Sequence, residues 1–314
     1  MQKENHPVPS GGRYNFASHL QAWGPGVRPP VPLAEARAYC ERFAREHEEN
    51  FPVLSFAVPA RLRPHFAAVY AYCRWADDLG DEIPHQDQSL ELLDWWEEEL
   101  RKVYDGLPTH PVMIALRPTV EEFHIPAEPF LHLLAAFRQD QTVKRYASMD
   151  ELLGYCQWSA NPVGRLVLYL LSSATPDNIP LSDAICTGLQ LANFWQDVRV
   201  DYLDKGRIYI PADRLQKHRL TEQSMAEPTD PSTWKELLRE LVDEADEWLV
   251  EGLPLARRLR GRFSIMTAMF AEGGRGILRR IRKENYNVLS ARPRLNRWDR
   301  AGVVGRAIAY TAGF

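Results

Sequence analysis

The sequence predicts an all-α protein, and three observations support this prediction. Apolar residues recur with the period of amphipathic helices along most of the chain after residue 32, for example at positions 36, 39, 40, 43 and 44. No alternating apolar and polar pattern longer than about four residues indicates a strand. Proline and glycine punctuate the helical segments, and no internal repeat or strand–helix alternation suggests an α/β fold.

The composition is that of a globular protein. The chain has 314 residues, of which 45% are hydrophobic and 25% are charged, so collagen-like and largely disordered chains are excluded. Residues 1–32 are dense in proline and glycine and are predicted to form an irregular arm. Residues 33–314 are predicted to form a single α-helical domain. The four cysteines show no CxxC pair or zinc spacing, which favours buried, reduced thiols.

Each predicted helix has a recognisable start or end. Pro64 is placed to open a long helix that runs to about residue 82. Ser148-x-x-Glu151 is a capping box, and Pro162 kinks or restarts the helix that begins near residue 149. Gly206 ends a helix over 181–204. The remaining predicted helices span residues 33–48, 89–105, 111–124, 127–140, 233–260, 261–284 and 296–311.

The net charge of −4 hides an asymmetry. Residues 251–314 hold 14 Lys and Arg against 4 Asp and Glu, a net +10, while the rest of the chain holds 24 against 38, a net −14. The basic end fits solvated helix faces, an anionic membrane surface or a phosphorylated substrate. An acidic chain is a poor candidate for nucleic-acid binding, and none is expected. No apolar run reaches the length of a membrane span and the start lacks a secretory pattern, so a cytoplasmic location is expected, with peripheral contact to the inner face of the membrane.

The first acidic cluster closes a helix that is otherwise apolar. One helical stripe holds four charged side chains, at Arg74, Asp77, Asp78 and Asp81. The second cluster lies on the helix over 181–204, where Asn193, Asp197 and Asp201 are spaced by four residues on one face. A basic and aromatic run at 205–209 follows it directly.

The two clusters together predict a magnesium and phosphate site. Carboxylates one turn apart destabilise a helix unless a positive charge lies between them, and one arginine cannot neutralise five aspartates. Oxygen ligands favour a hard divalent ion such as Mg²⁺, which bridges to substrate phosphates. The phosphate oxygens left over would be bound by Arg74, Lys205 and Arg207. Either cluster alone also fits a solvated helix end, whereas both together on apolar helices favour the functional interpretation.

The chain resembles the squalene/phytoene synthase family over about residues 33–290. The resemblance rests on the order and spacing of these segments: Ser55-Phe56; Tyr70-x-x-Cys73-Arg74-x-x-Asp77-Asp78-x-x-Asp81; Tyr155-Cys156-x-x-x-Ala160-x-x-Val163-Gly164; Gln190-Leu191-x-Asn193-x-x-Gln196-Asp197-x-x-x-Asp201; and Gly206-Arg207-x-Tyr209-x-Pro211. It implies the class I isoprenoid synthase fold, with a central apolar cavity, a prenyl diphosphate substrate and two or three Mg²⁺ ions between the Asp-rich helices.

The resemblance also implies roles for individual residues. The implied metal ligands are Asp77, Asp78, Asp81, Asn193, Asp197 and Asp201, with Asp78 either a ligand or a supporting residue. The implied catalytic residues are Arg74, Tyr70, Tyr155, Lys205 and Arg207. The implied substrate-binding residues are Ser55, Phe56, Ala160, Val163, Gly164, Gln190 and Tyr209. For the aromatic residues, ordinary core packing is the alternative.

Within the family, the chain most resembles the bacterial hydroxysqualene synthases of the hopanoid route, through residues 49–53, 159–165 and 193–197. This implies conversion of presqualene diphosphate and water to hydroxysqualene, with no NADPH expected. Phytoene synthases and many squalene synthases have Arg where Gln196 stands, a departure that fits an enzyme handling one diphosphate. One alternative is head-to-head condensation of two prenyl diphosphates to squalene or phytoene. The other is a non-enzymatic helical assembly factor, against which the intact Asp motifs argue.

Overall fold

The computed structural model describes residues 15–26, 29–46, 58–226 and 230–313. Among these residues all regular structure is helical and no strand occurs, which confirms the predicted all-α class. The chain forms two compact units, Met1–Gln141 and Thr142–Phe314. The single α-helical domain over 33–314 stays a prediction, since helical periodicity reports what each helix buries and not which helices share a core.

The first unit contains six helices in its described part, and the last five each end within a few residues of a predicted boundary. Helices α2, α3, α4 and α5 pack on one another. A short 3₁₀ turn at Ala60–Leu62 leads into α3. The helices are α1 Phe16–Trp23, α2 Leu33–Glu46, α3 Arg63–Asp81, α4 Gln86–Asp105, α5 Pro111–Phe123 and α6 Glu128–Thr142.

Large aromatic side chains fix the inward face of α3. Trp75 is fully buried, stacks on Trp96 of α4 with ring centroids 5.1 Å apart, and donates through Nε1 to the Tyr39 hydroxyl of α2 at 3.1 Å. Tyr72 packs edge-on against Phe130 of α6 at 4.8 Å. Burying rings of this size sets the rotation of α3 about its axis.

Helix α1 corrects the prediction of an irregular arm over residues 1–32. The Phe16 ring packs edge-on against Trp75 at 5.1 Å, and Nδ1 of His19 lies 3.1 Å from the Tyr39 hydroxyl. Phe16, His19 and Trp23 share one helical face. The segment is short for an isolated helix, so packing against the core stabilises it where local sequence could not.

The second unit is built around the long helix α9. Its helices are α7 Met149–Ser159, α8 Asn161–Leu170, α9 Ile179–Lys205, α10 Ala212–Lys217, α11 Pro231–Gly252, α12 Leu255–Arg258, α13 Arg262–Lys283 and α14 Arg297–Ala312. The single helix predicted over 233–260 is two helices, because Pro254 lacks the N–H that would continue α11 and instead caps α12. Pro162 restarts the chain as α8, as predicted.

Helix α9 is covered by four others, which leaves only part of its surface for polar groups. It packs against α7, α8, α11 and α13. Gly188 allows α11 to approach closely, since a Cβ at this position would lie 2.7 Å from Cγ of Leu249. Trp195 is fully buried. None of the helices within the described residues combines the length and apolarity needed to cross a bilayer.

Candidate active site

The end of α3 carries the first predicted cluster, organised by Arg74. Its Nη1 lies 2.7 Å from Oδ2 of Asp77, and its Nη2 lies 2.6 Å from Oδ1 of Asp78. Asp78 is fully buried, whereas Asp77 is partly exposed and Asp81 is exposed. Of the three predicted carboxylates, Asp77 and Asp81 therefore reach solvent, and Asp78 is buried against the guanidinium.

Neighbouring side chains hold the carbonyl end of α3 in place. The Ser89 hydroxyl donates to the Leu79 carbonyl at 2.7 Å, and the Gln141 amide donates to the Gly80 carbonyl at 2.8 Å. These donors satisfy two of the carbonyls that a helix end leaves without partners. Four residues before Arg74, burial raises the pKa of the Tyr70 hydroxyl to about 12, so Tyr70 is a neutral hydrogen-bonding group at neutral pH.

The second predicted cluster lies on α9. Asn193 is exposed, Asp201 is half-buried and Asp197 is 8% exposed. Burial, reinforced by the negative charge of Asp197, raises the pKa of Asp201 to about 6. The two carboxylates and the amide thus lie on one helix face as expected, and the carboxylates repel each other.

An arginine that the sequence analysis did not single out contacts this cluster. Arg292 forms a two-pronged ion pair with Asp197, with Nη2 2.8 Å from Oδ2 and Nε bonded to Oδ1. This contact raises the pKa of Arg292. The two residues are 95 positions apart, so no local pattern connects them. The only available signal is the basic segment at residues 292–294 that follows α13.

Gln196 holds the segment that carries Arg292. Its side-chain amide is buried and donates to the carbonyl of Pro293 at 2.5 Å. Phytoene synthases, which the sequence resembles, have an arginine at this position. In this chain the position holds Gln196, and its side chain bonds the backbone next to Arg292. Helix α9 itself presents no guanidinium at this position.

The turn after α9 positions the predicted basic residues. Gly206 adopts a left-handed conformation with φ of 63°, which ends the helix as predicted. The backbone N–H of Arg207 donates to the Asp201 carbonyl at 2.9 Å, and that of Ile208 donates to the Lys144 carbonyl at 2.9 Å. Arg207 is buried and Lys205 is exposed. The backbone of the buried residue Arg207 is thus fixed at the end of α9, next to the Asp201 carbonyl.

Two predicted aromatic residues belong to one stacked cluster. Tyr209 stacks on Phe194 of α9 with ring centroids 3.8 Å apart and planes within 10°. Tyr155 of α7 lies 6.4 Å from Phe194 and 5.5 Å from the buried ring of Tyr146. No role was predicted for Phe194 or Tyr146. Phe194 directly follows Asn193 in the second motif. An aromatic residue beside the acidic face was therefore the one signal in the sequence that could have indicated its place in this cluster.

The predicted substrate-binding residues in and around α8 and on α9 differ in how deeply they are buried. Gly164 lies against α9, where an added Cβ would be 2.4 Å from Oγ of Ser182 and 2.6 Å from Sγ of Cys186. Ala160 is buried, Val163 is 44% exposed and Gln190 is half-buried. Gly164 is accordingly a close-approach residue between two helices, and this packing is sufficient reason for a glycine there. Ser55 and Phe56 lie outside the described residues.

The donors on α9 fit a hard divalent ion but do not complete its coordination. Within the part of the chain that the structure describes, no three His, Cys, Asp or Glu side chains are grouped as a metal site. Asp197, Asp201 and Asn193 nevertheless supply only oxygen donors, and their mutual repulsion is relieved by a cation. Mg²⁺ keeps several waters and takes further ligands from substrate phosphates, which matches a partial protein donor set.

Comparison with known proteins identifies the family. The squalene/phytoene synthase family matches residues 44–299. The chain belongs to the squalene/phytoene synthase family. Phytoene synthase of Arthrospira platensis is 30% identical over 291 residues, covering 88% of this chain and 93% of that enzyme. Hydroxysqualene synthase of Rhodopseudomonas palustris is 36% identical over 214 residues, covering 68% of this chain and 72% of that enzyme.

A solved squalene/phytoene synthase family structure confirms the fold. The crystal structure of squalene synthase HpnC from Alicyclobacillus acidocaldarius superposes with a TM-score of 0.77 at 40% identity, covering 82% of this chain and 97% of that one. The fold is therefore that of the squalene synthase-type isoprenoid synthases. Members of this family are enzymes that process prenyl diphosphates with a divalent metal. Relatives with different products match at similar identity, so family membership establishes the substrate class and not the product.

Proposed function

We propose that this protein converts presqualene diphosphate and water to hydroxysqualene and diphosphate. The observation that carries this choice within the family is the position of Gln196. Its amide is bonded to the Pro293 carbonyl, so residue 196 offers no guanidinium for a second diphosphate. The sequence identity to hydroxysqualene synthases is a second, independent support.

The reaction we propose is an ionisation followed by capture of water. The carbon–oxygen bond to diphosphate breaks, and its electron pair leaves with the diphosphate. The cyclopropylcarbinyl cation rearranges, the water oxygen forms the new carbon–oxygen bond, and one proton is lost. No electron donor is required for this balance, so no NADPH is expected.

Several residues are assigned to the diphosphate end. We assign magnesium binding to five side chains: Asp77, Asp81, Asn193, Asp197 and Asp201. When bound, magnesium would stabilise the charge that develops on the departing diphosphate. Asp78, buried against Arg74, would hold that guanidinium in place. The guanidiniums of Arg74 and Arg207 and the ammonium of Lys205 would bind diphosphate oxygens.

The hydrocarbon end is assigned to an apolar cavity with aromatic lining. Tyr70, Tyr155 and Tyr209 would place ring faces near the cation, which the negative face of an aromatic ring stabilises. Burial raises the pKa of the Tyr70 hydroxyl further above neutrality, to about 12. Ala160, Val163, Gly164, Gln190, Ser55 and Phe56 stay predictions as substrate-binding residues. Exclusion of bulk water would limit capture to one carbon.

The deciding experiment is incubation with presqualene diphosphate and Mg²⁺, with and without NADPH, followed by mass spectrometry of the products. We expect a C30 alcohol in the absence of NADPH. Squalene formed only with NADPH would replace this proposal with a condensing synthase. Phytoene formed in a parallel incubation with geranylgeranyl diphosphate would do the same, and the Arthrospira platensis relative is named a phytoene synthase. No turnover of any prenyl diphosphate would favour the assembly factor.

The metal assignment has its own matched pair of variants. Asp197→Asn should lower kcat/KM on the order of a hundredfold or more, because a carboxylate ligand becomes a neutral amide. Asp204→Asn removes an exposed carboxylate from the same helix, outside the proposed ligands, and should leave activity near wild type. Full activity of Asp197→Asn would remove the assignment.

We also propose a cytoplasmic protein with peripheral contact to the inner face of the membrane. The substrate and product are hydrocarbons that dissolve poorly in water, and residues 251–314 carry a net +10. Anionic lipid attracts such a basic segment. Separation of membrane and soluble fractions at low and high salt tests this contact.

A further inference from the structure

Helix α14 is fixed to the second unit through one face only. Val303 and Ala307 are buried against α13, and Gly276 of α13 allows the close approach, since a Cβ there would lie 2.9 Å from Cγ2 of Val303. A capping box sets its start: Asn296 accepts from the backbone N–H of Asp299, and Asp299 accepts from that of Asn296. The rotation of α14 about its axis is therefore defined.

The opposite face of α14 is apolar and exposed. Trp298 is 72% exposed and Ile308 is 50% exposed. Between them Ala301 and Gly305 are exposed at spacings of three and four residues, so the four residues form one stripe, flanked by exposed Val304. We call these five residues the α14 face. A helix with one buried and one exposed apolar side has a second surface to cover.

The charges around the α14 face are of one sign. The only acidic residue of α14 is Asp299, which is engaged in the capping box and lies 3.5 Å from Arg280. At the same end of the helix Arg294, Arg297 and Arg300 are exposed, and none of them forms an ion pair with another described residue. The Arg297 guanidinium lies over the Trp298 ring, 5.0 Å from its centroid.

Most other arginines of this basic end are already paired with carboxylates. Glu272 alone contacts three of them, and Asp246 contacts two. The paired arginines are Arg258, Arg275, Arg279, Arg280, Arg282, Arg292 and Arg306. The positive charge at the start of α14 is thus not consumed within the fold and is available to an external anion.

We propose that the α14 face is a membrane-contact surface for anionic phospholipid. An amphipathic helix that presents Trp and aliphatic side chains beside arginines lies in the headgroup region, with its apolar side buried at the acyl boundary. Tryptophan favours this interface. A second copy of the chain is a poorer occupant, because in an isologous contact the α14 face of one copy offers no carboxylate to the arginines of the other.

This surface specifies the peripheral membrane contact proposed above, and it does not depend on which reaction the enzyme catalyses.

The test is flotation of the full chain with two kinds of vesicle, phosphatidylcholine alone and an equal mixture with phosphatidylglycerol. We expect the wild type to bind the mixed vesicles and to be released by salt. Trp298→Ser/Ile308→Ser should bind about tenfold more weakly or worse, because two large apolar side chains no longer enter the bilayer. Replacing Arg294, Arg297 and Arg300 by Gln should cost on the order of a hundredfold on mixed vesicles only.

The matched control is Val250→Ser on α11, an exposed aliphatic residue that lies among acidic side chains and should not affect binding. Thermal melting and turnover of detergent-dispersed substrate should be unchanged in all variants, which separates this inference from the proposed reaction.

If the wild type floats but the double variant Trp298→Ser/Ile308→Ser floats equally well, the α14 face is not the contact. If the wild type binds neither vesicle, peripheral contact itself is wrong. If it dimerises through this face and does not float, a second copy is the occupant.

Discussion

Arg292 neutralises Asp197, the most buried carboxylate of the second acidic motif. The guanidinium reaches it from a segment 95 residues away, with Nη2 2.8 Å from Oδ2. A two-pronged pair of this kind fixes direction as well as charge. The carboxylate we assign to magnesium is thus already engaged by a cation of the protein, and a metal must compete with it.

The first prediction concerns this competition. Arg292→Gln should raise the affinity of the substrate-free protein for Mn²⁺, used as a spectroscopic substitute for Mg²⁺, by about threefold to tenfold. The reason is that Asp197 then has no guanidinium to release before it binds a metal. The measurement is a titration of free Mn²⁺ by electron paramagnetic resonance.

Removal of any positive charge near the site also favours cation binding, so a control is needed. Arg199→Gln removes a guanidinium from the same groove, which Arg199 and Arg292 both line. Arg199 forms no ion pair with Asp197, and its effect therefore measures general electrostatics alone. Equal gains in Mn²⁺ affinity for both variants would show that the Arg292–Asp197 pair does not compete with the metal.

The second prediction is that Gln196 acts through Arg292. Gln196→Leu removes the donor to the Pro293 carbonyl and should loosen the segment that delivers the guanidinium. The double-mutant cycle of Gln196→Leu with Arg292→Gln should show a coupling free energy of about 0.5–2 kcal/mol, measured by urea unfolding of the four proteins. Additive effects of the two substitutions would show that Gln196 only fills space.

The helices could be predicted because their signals are local. Apolar periodicity, Pro64 at the start of α3 and Gly206 at the end of α9 each act within a few residues. Helix α1 could not be predicted, because it depends on Trp75 and Tyr39, which are distant in sequence. The division at residue 141 depends in the same way on which helices share a core.

The candidate site was predictable where its chemistry repeats along one helix face. Asp197 and Asp201 could be placed together because they are four residues apart on α9. Arg292 could not, because only the folded chain brings it to Asp197. Gly164 shows a different limit: a glycine beside a substrate-binding motif has the same sequence signature as one that lets two helices touch.

The third prediction separates those two roles of Gly164. Gly164→Ala should destabilise the protein by about 1–3 kcal/mol, because its Cβ would lie within 2.6 Å of both Oγ of Ser182 and Sγ of Cys186. Gly154→Ala on α7 is the matched control, since nothing lies within 4 Å of its added Cβ, and it should stabilise by about 0.5–1 kcal/mol. A normal melting temperature with a raised KM for Gly164→Ala would instead support substrate binding.

The fourth prediction is a pH dependence at the start of α11. Oδ1 of the Asp230 side chain accepts from the backbone N–H of Ser232 at 3.1 Å, and Oδ2 accepts from the Thr233 hydroxyl at 2.7 Å. The Ser232 and Thr233 side-chain hydrogen bonds lower the pKa of Asp230 to about 2. A folded-state pKa below the ordinary aspartate value of about 3.9 stabilises the protein above that value, and the contribution is lost as the pH falls toward 2.

Asp230→Asn tests the charge without removing the cap, because an asparagine side chain still accepts from the backbone but does not titrate. Its melting temperature should be slightly below that of the wild type at pH 7, and the gap should narrow as the pH falls from about 4 toward 2. The melting temperature of Asp230→Ala should be lower than that of Asp230→Asn at every pH, because the backbone N–H groups of Ser232 and Thr233 then lose their acceptor. Differential scanning calorimetry of the three proteins across this range measures both effects. If the difference in melting temperature between the wild type and Asp230→Asn stays constant with pH, the carboxylate charge does not stabilise the helix.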